Sequence, residues 1–224
     1  MTKICVSGSK GKMGARIKAL AKGDAEFEVS GSFDIGEEAE PLIKECDCLI
    51  EFTSPEATIE HLGICEKEKK AIVIGTTGLS AQDVEKVKAA SGAIPVVFSP
   101  NMSIGVNVVF KMLRDAAKTL GEDYSVSMVE AHHLHKKDKP SGTAKEMARI
   151  IKEEGHVTDV PIESVREGEI VGEHTVTFES ETDVIEITHS AKTRDIFAQG
   201  ALTAAKFISG KKPGLYTMGD VLGL

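Results

Sequence analysis

Short β-rich segments alternate with helical segments through the first hundred residues, and this alternation restricts the fold more than any other feature. Five segments have the composition of buried strands: Lys3–Ser7, Phe27–Phe33, Asp47–Phe52, Ala71–Ile74 and Pro95–Ser99. Three longer segments between them have helical patterns: Met13–Lys22, Pro55–Lys69 and Ser80–Ser91. Such alternation predicts an α/β fold, a Rossmann-like doubly wound parallel sheet. The ligand of such a sheet binds beyond the carboxyl ends of its strands.

The pattern changes after Asn101, where partly alternating strands are mixed with longer helices. The predicted helices here are Val106–Leu120, Ala144–Glu154 and Phe197–Ile208. The predicted strands are Ser125–Ala131, Ile162–Arg166, His174–Ser180 and Asp183–Ser190. They predict a second, α+β domain with an open mixed sheet. We therefore expect a dinucleotide-binding domain over residues 1–103 and a second domain over residues 104–210, with the Gly-rich tail 211–224 packing back on the first.

The composition argues against several classes of partner. The 224 residues have a net charge of −8, only 4% are aromatic and none is Trp, so neither phosphate attraction nor base stacking favours nucleic acid. No apolar run reaches the roughly 20 residues that a membrane span requires. The N-terminus leads straight into a strand without a secretory signal, and the four cysteines form no CxxC pair. We expect a reduced, cytoplasmic protein without a nucleic-acid or membrane partner.

The segment Gly8–Gly14 lies between the first predicted strand and the first predicted helix, and its glycines are spaced GxxGxxG. Glycines allow a tight turn and the close approach of a pyrophosphate, and the following helix N-terminus supplies N–H donors. The spacing predicts a dinucleotide site, and a purely structural turn is the alternative. The cofactor-binding candidates in this loop are Gly8, Ser9, Lys10, Gly11, Lys12 and Met13.

Asp34 ends the second predicted strand, 20 residues after Gly14. An acid at this place accepts hydrogen bonds from the adenosine ribose hydroxyls and disfavours the 2′-phosphate of NADP. However, Lys10 and Lys12 carry two positive charges that can neutralise such a phosphate. The residues therefore predict NADH, NADPH or both as cofactor, and a solvated loop carboxylate is the alternative role for Asp34.

Two further polar segments follow the fourth and fifth predicted strands. Because the carboxyl ends of parallel strands meet at one edge of the sheet, both segments are expected near the nicotinamide half of a dinucleotide. Each taken singly is also compatible with a simple turn. The candidates are Gly75, Thr76, Thr77, Ser99, Pro100, Asn101 and Met102.

The densest polar segment, residues 130–144, holds three His and three Lys within eight residues. Histidine exchanges protons near neutral pH, and lysine holds a carboxylate or delivers a proton. The run Ser141-Gly142-Thr143 opens the next predicted helix, whose N–H groups can bind a second carboxylate. The segment therefore predicts proton chemistry on a small dicarboxylate.

Two other interpretations of this segment are possible. One is a solvated charged loop without function. The other is a zinc site built on His133 and His135, but no Cys, Asp or Glu at ligand spacing completes the set. We expect no metal.

Seven motifs in this chain resemble those of the dihydrodipicolinate reductase (4-hydroxy-tetrahydrodipicolinate reductase) family. They are VSGSKGKMG, EFTSP, VIGTTG, SPNMSIGVN, EAHHLHKKDKPSGTA, VGEHTV and ITHSA. They follow the family order from residue 6 to residue 191, so the resemblance spans nearly the whole chain. The long motif around the His/Lys cluster is highly specific to this family.

The resemblance implies a reaction and a set of roles. His132 would be the general acid/base and Lys136 the proton donor, while His133, Gly142 and Thr143 would bind the substrate carboxylates. The family uses NADH and/or NADPH to reduce (2S,4S)-4-hydroxy-2,3,4,5-tetrahydrodipicolinate to tetrahydrodipicolinate with loss of water, in lysine and diaminopimelate biosynthesis. Its second domain binds substrate and assembles a homotetramer through its sheet.

Some positions depart from the family pattern. The stretch between Phe33 and Glu51 is shorter than in many members, and Ile35 stands where an Arg often favours a 2′-phosphate. Gly219 stands in the tail where an Arg can occur. Two other functions are compatible with this fold, a non-catalytic dinucleotide-sensing module and a related amino-acid dehydrogenase. The intact His/Lys cluster argues against the first, and substrate profiling separates the second.

Overall fold

The computed structural model describes all 224 residues. The strands are β1 (Thr2–Ser7), β2 (Phe27–Phe33), β3 (Cys48–Glu51), β4 (Ala71–Ile74), β5 (Pro95–Phe98), β6 (Ser125–His132), β7 (Ile162–Arg166), β8 (Glu173–Glu179), β9 (Val184–Ser190) and β10 (Gly214–Tyr216). The helices are α1 (Lys12–Lys22), α2 (Glu40–Lys44), α3 (Pro55–Glu68), α4 (Ala81–Ala90), α5 (Ile104–Leu120), α6 (Gly142–Glu154), α7 (Asp195–Ile208) and α8 (Met218–Leu222). The short elements α2, β10 and α8 were not predicted.

The first compact unit comprises residues 1–104 and 195–224 and is built on a six-stranded sheet. The strand order is β10-β5-β4-β3-β1-β2, and all pairings are parallel. Every residue of β3 and β4 is buried, as expected for parallel strands covered by helices on both faces. The predicted doubly wound parallel sheet is therefore confirmed.

Helix α7 belongs to this first unit. It was expected in the second domain, which was predicted to extend to residue 210. Gly200 lets α7 approach the segment after β5 closely, because a Cβ built there would lie 1.7 Å from the carbonyl oxygen of Met102. Arg16 of α1 also binds the Asp195 carboxylate through two nitrogens. The sequence predicts a helix over Phe197–Ile208 but does not say which sheet it packs against.

The tail supplies the last strand of the parallel sheet. Gly214–Tyr216 pairs with Pro95–Val97 of β5. The helix α8 follows, and Thr217, the residue before it, forms a capping box with Asp220. The Gly-rich tail 211–224, expected to pack back on the first domain, thus adds an edge strand and a short capped helix to the first unit.

The second compact unit comprises residues 105–194 and holds a four-stranded sheet of order β7-β6-β8-β9. Strands β6 and β7 are parallel, and the other pairs are antiparallel, so the predicted mixed sheet is confirmed. Alternate residues of β6 face the apolar core formed with α5 and α6, and the last two inward positions are Glu130 and His132. The core therefore ends in a buried polar patch.

No helix combines the length and the apolar character needed to cross a bilayer. The four cysteines are free thiols with buried side chains. Burial is the largest cause that raises the pKa of the Cys46 thiol to about 11, so this thiol stays protonated.

Candidate active site

The glycine-rich loop turns tightly between β1 and α1. Gly8 has φ +62°, a backbone conformation that favours glycine. A Cβ built on Gly14 would lie 2.3 Å from the carbonyl oxygen of Gly8, so only glycine allows the helix to start this close to the loop. Gly11 precedes the first residue of α1, Lys12. The backbone N–H groups of this helix N-terminus therefore face the space beyond the sheet, as a phosphate site requires.

Asp34 is joined directly to the glycine-rich loop. Its Oδ2 accepts a hydrogen bond from the backbone N–H of Lys10 at 2.8 Å, and its Oδ1 accepts one from Ile35 at 2.9 Å. These hydrogen bonds, that from Lys10 foremost, lower the pKa of Asp34. A carboxylate oxygen has two lone-pair directions, so each oxygen can also accept from a ribose hydroxyl.

Glu37 was not predicted as a site residue, yet it contacts Lys10 and Asp34, two of the predicted cofactor-binding residues. Its Oε1 lies 2.7 Å from Nζ of Lys10, and its Oε2 accepts a hydrogen bond from the backbone N–H of Asp34 at 2.9 Å. The hydrogen bond from Lys10 is the main cause that lowers the pKa of Glu37. The only sequence signal was an acid three residues after Asp34.

The segments after β4 and β5 lie at the same edge of the sheet as the glycine-rich loop, because all these strands are parallel. Gly75 is buried and Thr77 is exposed, while the Thr76 hydroxyl accepts a hydrogen bond from Thr58 of α3 at 2.8 Å. Thr76 thus fastens the loop to a helix.

The segment after β5 forms a compact turn. The Ser99 hydroxyl donates to the carbonyl oxygen of Asn101 at 2.9 Å, and both residues are buried. Pro100 is exposed, and the Met102 side chain belongs to the apolar core. Met102 therefore has only its backbone to offer a cofactor.

The end of β3 carries residues that the sequence reasoning missed. Glu51 is fully buried, and its carboxylate lies 2.6 Å from Nδ1 of His61 and accepts a hydrogen bond from the backbone N–H of Thr53 at 3.0 Å. A Cβ on Gly8 would lie 2.8 Å from the Thr53 methyl group. The EFTSP motif signalled this segment, but only the sheet order shows that it supports the glycine-rich loop.

An open cavity of about 1190 Å³ lies in the first unit beside these residues. It is lined by Gly8, Gly11, Asp34, Glu37, Thr53 and His61, among others. Ligand cavities typically measure about 300–1,000 Å³, so this one accommodates a large part of a dinucleotide. The backbone of its glycines suits a pyrophosphate and Asp34 suits a ribose, so the cavity fits a nicotinamide dinucleotide.

In the second unit, His132 is held by a buried carboxylate. Its Nδ1 lies 2.5 Å from Oε2 of Glu130, which is fully buried. Burial alone would raise the pKa of Glu130, but hydrogen bonds from Arg166, Ser164 and His132 outweigh burial and lower it to about 2. Glu130 is therefore an ionised acceptor at any physiological pH.

Arg166 at the end of β7 binds both oxygens of Glu130. Its Nη1 donates to Oε2 at 3.0 Å and its Nη2 to Oε1 at 2.8 Å. The same guanidinium donates to the carbonyl oxygens of Lys136 and Asp138 in the adjacent loop. Neither Arg166 nor Glu130 was predicted as a site residue, since their contact depends on the pairing of β6 with β7.

His174 of β8 forms the other wall around His132. The two imidazole rings meet edge to face, with centroids 5.2 Å apart. Nε2 of His174 lies 2.9 Å from the hydroxyl of Ser141, and its Nδ1 is buried without a hydrogen-bond partner. Burial is the largest cause that lowers the pKa of His174 to about 4, so this ring is neutral at neutral pH.

The remaining predicted residues lie in the loop after β6 and at the start of α6. Lys136 is largely buried, and its Nζ lies 2.9 Å from Asp138. His133 is half-buried, and Gly142 and Thr143 are the first two residues of α6. Ser141 caps that helix by accepting a hydrogen bond from the backbone N–H of Ala144 at 3.1 Å. The structure thus gathers the predicted proton-handling and carboxylate-binding residues in one unit.

Three possible metal-ligand atoms also meet here, from Glu130, His132 and His174, all within 4.8 Å of one another. The guanidinium of Arg166 already binds both oxygens of Glu130, so a metal ion would lie beside an existing cation. The donor set therefore fits proton chemistry better than metal binding.

Two protein-family models together match nearly the whole chain. Residues 2–102 match the model described as dihydrodipicolinate reductase, N-terminus, and residues 105–222 match the one described as dihydrodipicolinate reductase, C-terminus. The chain belongs to the dihydrodipicolinate reductase family. The family predicted from sequence motifs is confirmed.

Known relatives agree with this membership. The 4-hydroxy-tetrahydrodipicolinate reductase of Geobacter sulfurreducens is 40% identical, and that of Trichlorobacter lovleyi is 41% identical; each alignment covers 100% of both chains. The alignments extend over 266 positions, so these relatives contain segments that the present 224 residues lack.

Among solved structures, a dipicolinate-bound dihydrodipicolinate reductase from Paenisporosarcina sp. TG-14 superposes with a TM-score of 0.84 at 23% identity and covers 98% of each chain. This similarity confirms the fold. The chain is a reductase of the dihydrodipicolinate reductase family, and its nucleotide-binding N-terminal part implies a nicotinamide cofactor.

Proposed function

We propose that this chain reduces (2S,4S)-4-hydroxy-2,3,4,5-tetrahydrodipicolinate to tetrahydrodipicolinate with loss of water. The observation that carries the proposal is the pair His132 and Lys136, a buried imidazole and an ammonium four residues later, both supported by Arg166. The reaction consumes one hydride and one proton and releases one water. A site for it must therefore move protons to and from a bound dianion.

His132 is the group that accepts and returns a proton. Burial, opposed in part by Glu130, lowers the pKa of its imidazole, so the ring is neutral at neutral pH. A neutral imidazole can take a proton from a ring carbon of the substrate and return it to the departing hydroxyl, which leaves as water. Lys136, whose ammonium is held beside Asp138, is the donor that supplies the proton the reaction consumes.

The two substrate carboxylates bind at His133 and at the start of α6. Backbone N–H groups point out of a helix N-terminus, where the macrodipole favours an anion. Gly142 and Thr143 lie in that first turn, and Gly142 has no atom within 4 Å of the place of a side chain. The bound dipicolinate of the Paenisporosarcina protein is a planar dicarboxylate of the same size class and supports this choice of substrate.

The cofactor binds to the first unit, through Gly8–Met13, Asp34, Gly75–Thr77 and Ser99–Met102. When bound, the reduced nicotinamide supplies the hydride. We infer that NADH is preferred to NADPH, because two carboxylates, Asp34 and Glu37, lie where a 2′-phosphate would come. Lys10, the nearest cation that could offset them, is already paired with Glu37.

The assembly is a homotetramer formed through the open face of the second unit's sheet. The outward side chains of Val129 in β6 and Val184 in β9 are 43% and 55% exposed. An open sheet face with exposed apolar side chains can be covered by a second sheet that packs on it face to face.

The assay uses freshly prepared substrate and follows NADH oxidation, with the product identified by mass spectrometry. Oxidation that requires both substrate and enzyme, with tetrahydrodipicolinate as product, is the expected result. Dipicolinate should inhibit it competitively against the substrate. If no dicarboxylate elicits oxidation although NADH binds, the chain is a dinucleotide-binding module without this activity.

A further inference from the structure

The hydrogen bond between His132 and Glu130 determines which ring nitrogen of the histidine carries the hydrogen. A carboxylate only accepts hydrogen bonds, and Glu130 is held ionised by Arg166. Since Nδ1 of His132 lies 2.5 Å from the Glu130 oxygen, Nδ1 carries the hydrogen in the neutral ring. Nε2 is then the atom with the lone pair.

The surroundings of Nε2 keep this atom accessible. Gly172, just before β8, lies next to it, and a Cβ built there would come within 3.0 Å of Nε2. Any larger residue would cover the lone pair. The ring of His174 meets the imidazole edge to face rather than stacking on it.

Arg166 connects this histidine to the loop that carries Lys136. Arginine has five N–H donors in a rigid plane, and each has an acceptor here. They are the two oxygens of Glu130 and the carbonyl oxygens of Lys136, Asp138 and Val165. The side chain is only 6% exposed, so these hydrogen bonds are shielded from water. One guanidinium therefore fixes both proton-handling residues.

We propose that Glu130 and Arg166 are positioning residues: Glu130 holds His132 in the Nδ1–H tautomer with Nε2 directed to the substrate, and Arg166 holds the backbone of Lys136 relative to that ring. The inference rests on the proposed function for the identity of the proton-handling pair. Neither positioning residue exchanges a proton with the substrate.

The first experiment needs neither substrate nor mutation. Nitrogen chemical shifts of isotope-labelled histidine, measured by NMR on the intact protein, report which ring nitrogen is protonated. We expect Nδ1–H for neutral His132. An Nε2–H tautomer would overturn the proposal, whatever the enzyme's activity proves to be.

The second experiment compares Glu130→Gln and Arg166→Lys with matched controls. Gln keeps the shape of Glu130 but not its charge, and Lys keeps the charge of Arg166 but not the five donors. The controls are Glu154→Gln, which loses an ion pair with Arg114, and Arg149→Lys, whose guanidinium binds Glu146 and Glu153 on the exposed side of α6. Both controls should keep the wild-type turnover.

In the test variants we expect kcat to fall about a hundredfold, with NADH binding unchanged, because general acid–base groups contribute roughly 10²–10⁴-fold. In Glu130→Gln the pKa of His132 should also fall below the wild-type value, since the positive charges of Lys136 and Arg166 remain and the carboxylate that raises this pKa is lost. A folded Arg166→Lys protein with normal kcat, or a Glu130→Gln protein with an unchanged His132 titration, would contradict the proposal. Urea unfolding shows whether a variant has lost its fold. If it has, the tautomer of His132 in the wild-type protein decides whether the proposal holds.

Discussion

Nζ of Lys10 lies 2.7 Å from a carboxylate oxygen of Glu37. The lysine that sequence reasoning offered as a counter-charge for a 2′-phosphate is thus paired with an acid of the same unit. Replacing that acid should shift the choice of cofactor. In Glu37→Gln we expect NADPH to gain several-fold in kcat/KM relative to NADH, because one negative charge is lost and Lys10 is released.

Initial rates with the two cofactors, together with direct binding of NADP⁺ and NAD⁺, measure this shift. The exposed acid Glu38 lies next to Glu37, and Glu38→Gln is the control for a general loss of charge. Equal shifts in both variants would mean that the Lys10 pairing has no part in selectivity.

Asp34 gives the complementary prediction. Its carboxylate is positioned by the backbone N–H groups of Lys10 and Ile35 rather than by a flexible ion pair. If it holds the ribose hydroxyls, Asp34→Ala should weaken NADH binding more than NADPH binding, because NADPH gains from the loss of charge what it loses in hydrogen bonds. Titration calorimetry with each cofactor checks this, and an equal loss for both would remove the ribose-binding role.

Third, the buried ring of His174 should make the folded state sensitive to acid. The pKa of His174 in the folded state is about 4, below its ordinary value of 6.5. Between these two pH values the unfolded chain therefore binds a proton that the folded chain does not bind. Stability is therefore present in full above pH 6.5 and is lost as the pH falls towards about 4, by on the order of 3 kcal/mol. Urea unfolding as a function of pH measures the loss.

His174→Gln should reduce that dependence and leave the part contributed by His132 and His189, because burial lowers their pKa values too. The exposed His135→Gln is the control variant. The buried Glu130 does not confuse the result, because its own contribution is lost only at lower pH, between its ordinary 4.5 and about 2. A His174→Gln protein that retains the full wild-type slope would show that other groups cause it.

Much of this arrangement was visible in the sequence, for local reasons. Gly8–Gly14 and Asp34 follow two successive strands, β1 and β2. The residues from His132 to Thr143 are nearly contiguous in the sequence. Glu37, Arg166 and His174 were missed because their contacts depend on a turn after β2 and on the register of β6 with β7 and β8. Nothing in the spacing of Glu130 and Arg166, 36 residues apart, indicates that the two side chains meet. The sequence likewise does not show in which unit α7 lies, because that depends on its tertiary contacts.

The close packing of Gly14 leads to a fourth prediction. A methyl group at this position would meet the backbone of Gly8 at 2.3 Å, and backbone atoms cannot rotate away. We expect Gly14→Ala to abolish tight dinucleotide binding and to destabilise the protein by about 1–3 kcal/mol. Gly63→Ala is the control, because Gly63 lies within α3 with no atom within 4 Å of the new methyl group.

Gly63→Ala should stabilise the protein by about 0.5–1 kcal/mol, since alanine is the better helix former. Urea unfolding and cofactor titration of both variants test the pair. Normal cofactor binding by Gly14→Ala would mean that the loop can rearrange without loss.

A fifth prediction concerns assembly. Val129 is 43% exposed on the open face of the second unit's sheet, where we place the tetramer interface. Val129→Arg should dissociate the tetramer because a charge would be buried there without a partner. Sedimentation equilibrium measures the mass, and Lys145→Arg, on the exposed side of α6, is a control that should remain tetrameric. A monomeric wild-type protein would refute the assembly itself.

The most direct test of the central claim is substrate-dependent NADH oxidation by the wild type, His132→Gln and His135→Gln, measured side by side. We predict that the wild type and His135→Gln turn over at similar rates, whereas His132→Gln loses at least about a hundredfold in kcat with a much smaller change in KM, because the lost proton exchange acts in the transition state. A His132→Gln protein with wild-type kcat on the same freshly prepared hydroxy-dicarboxylate would contradict the account.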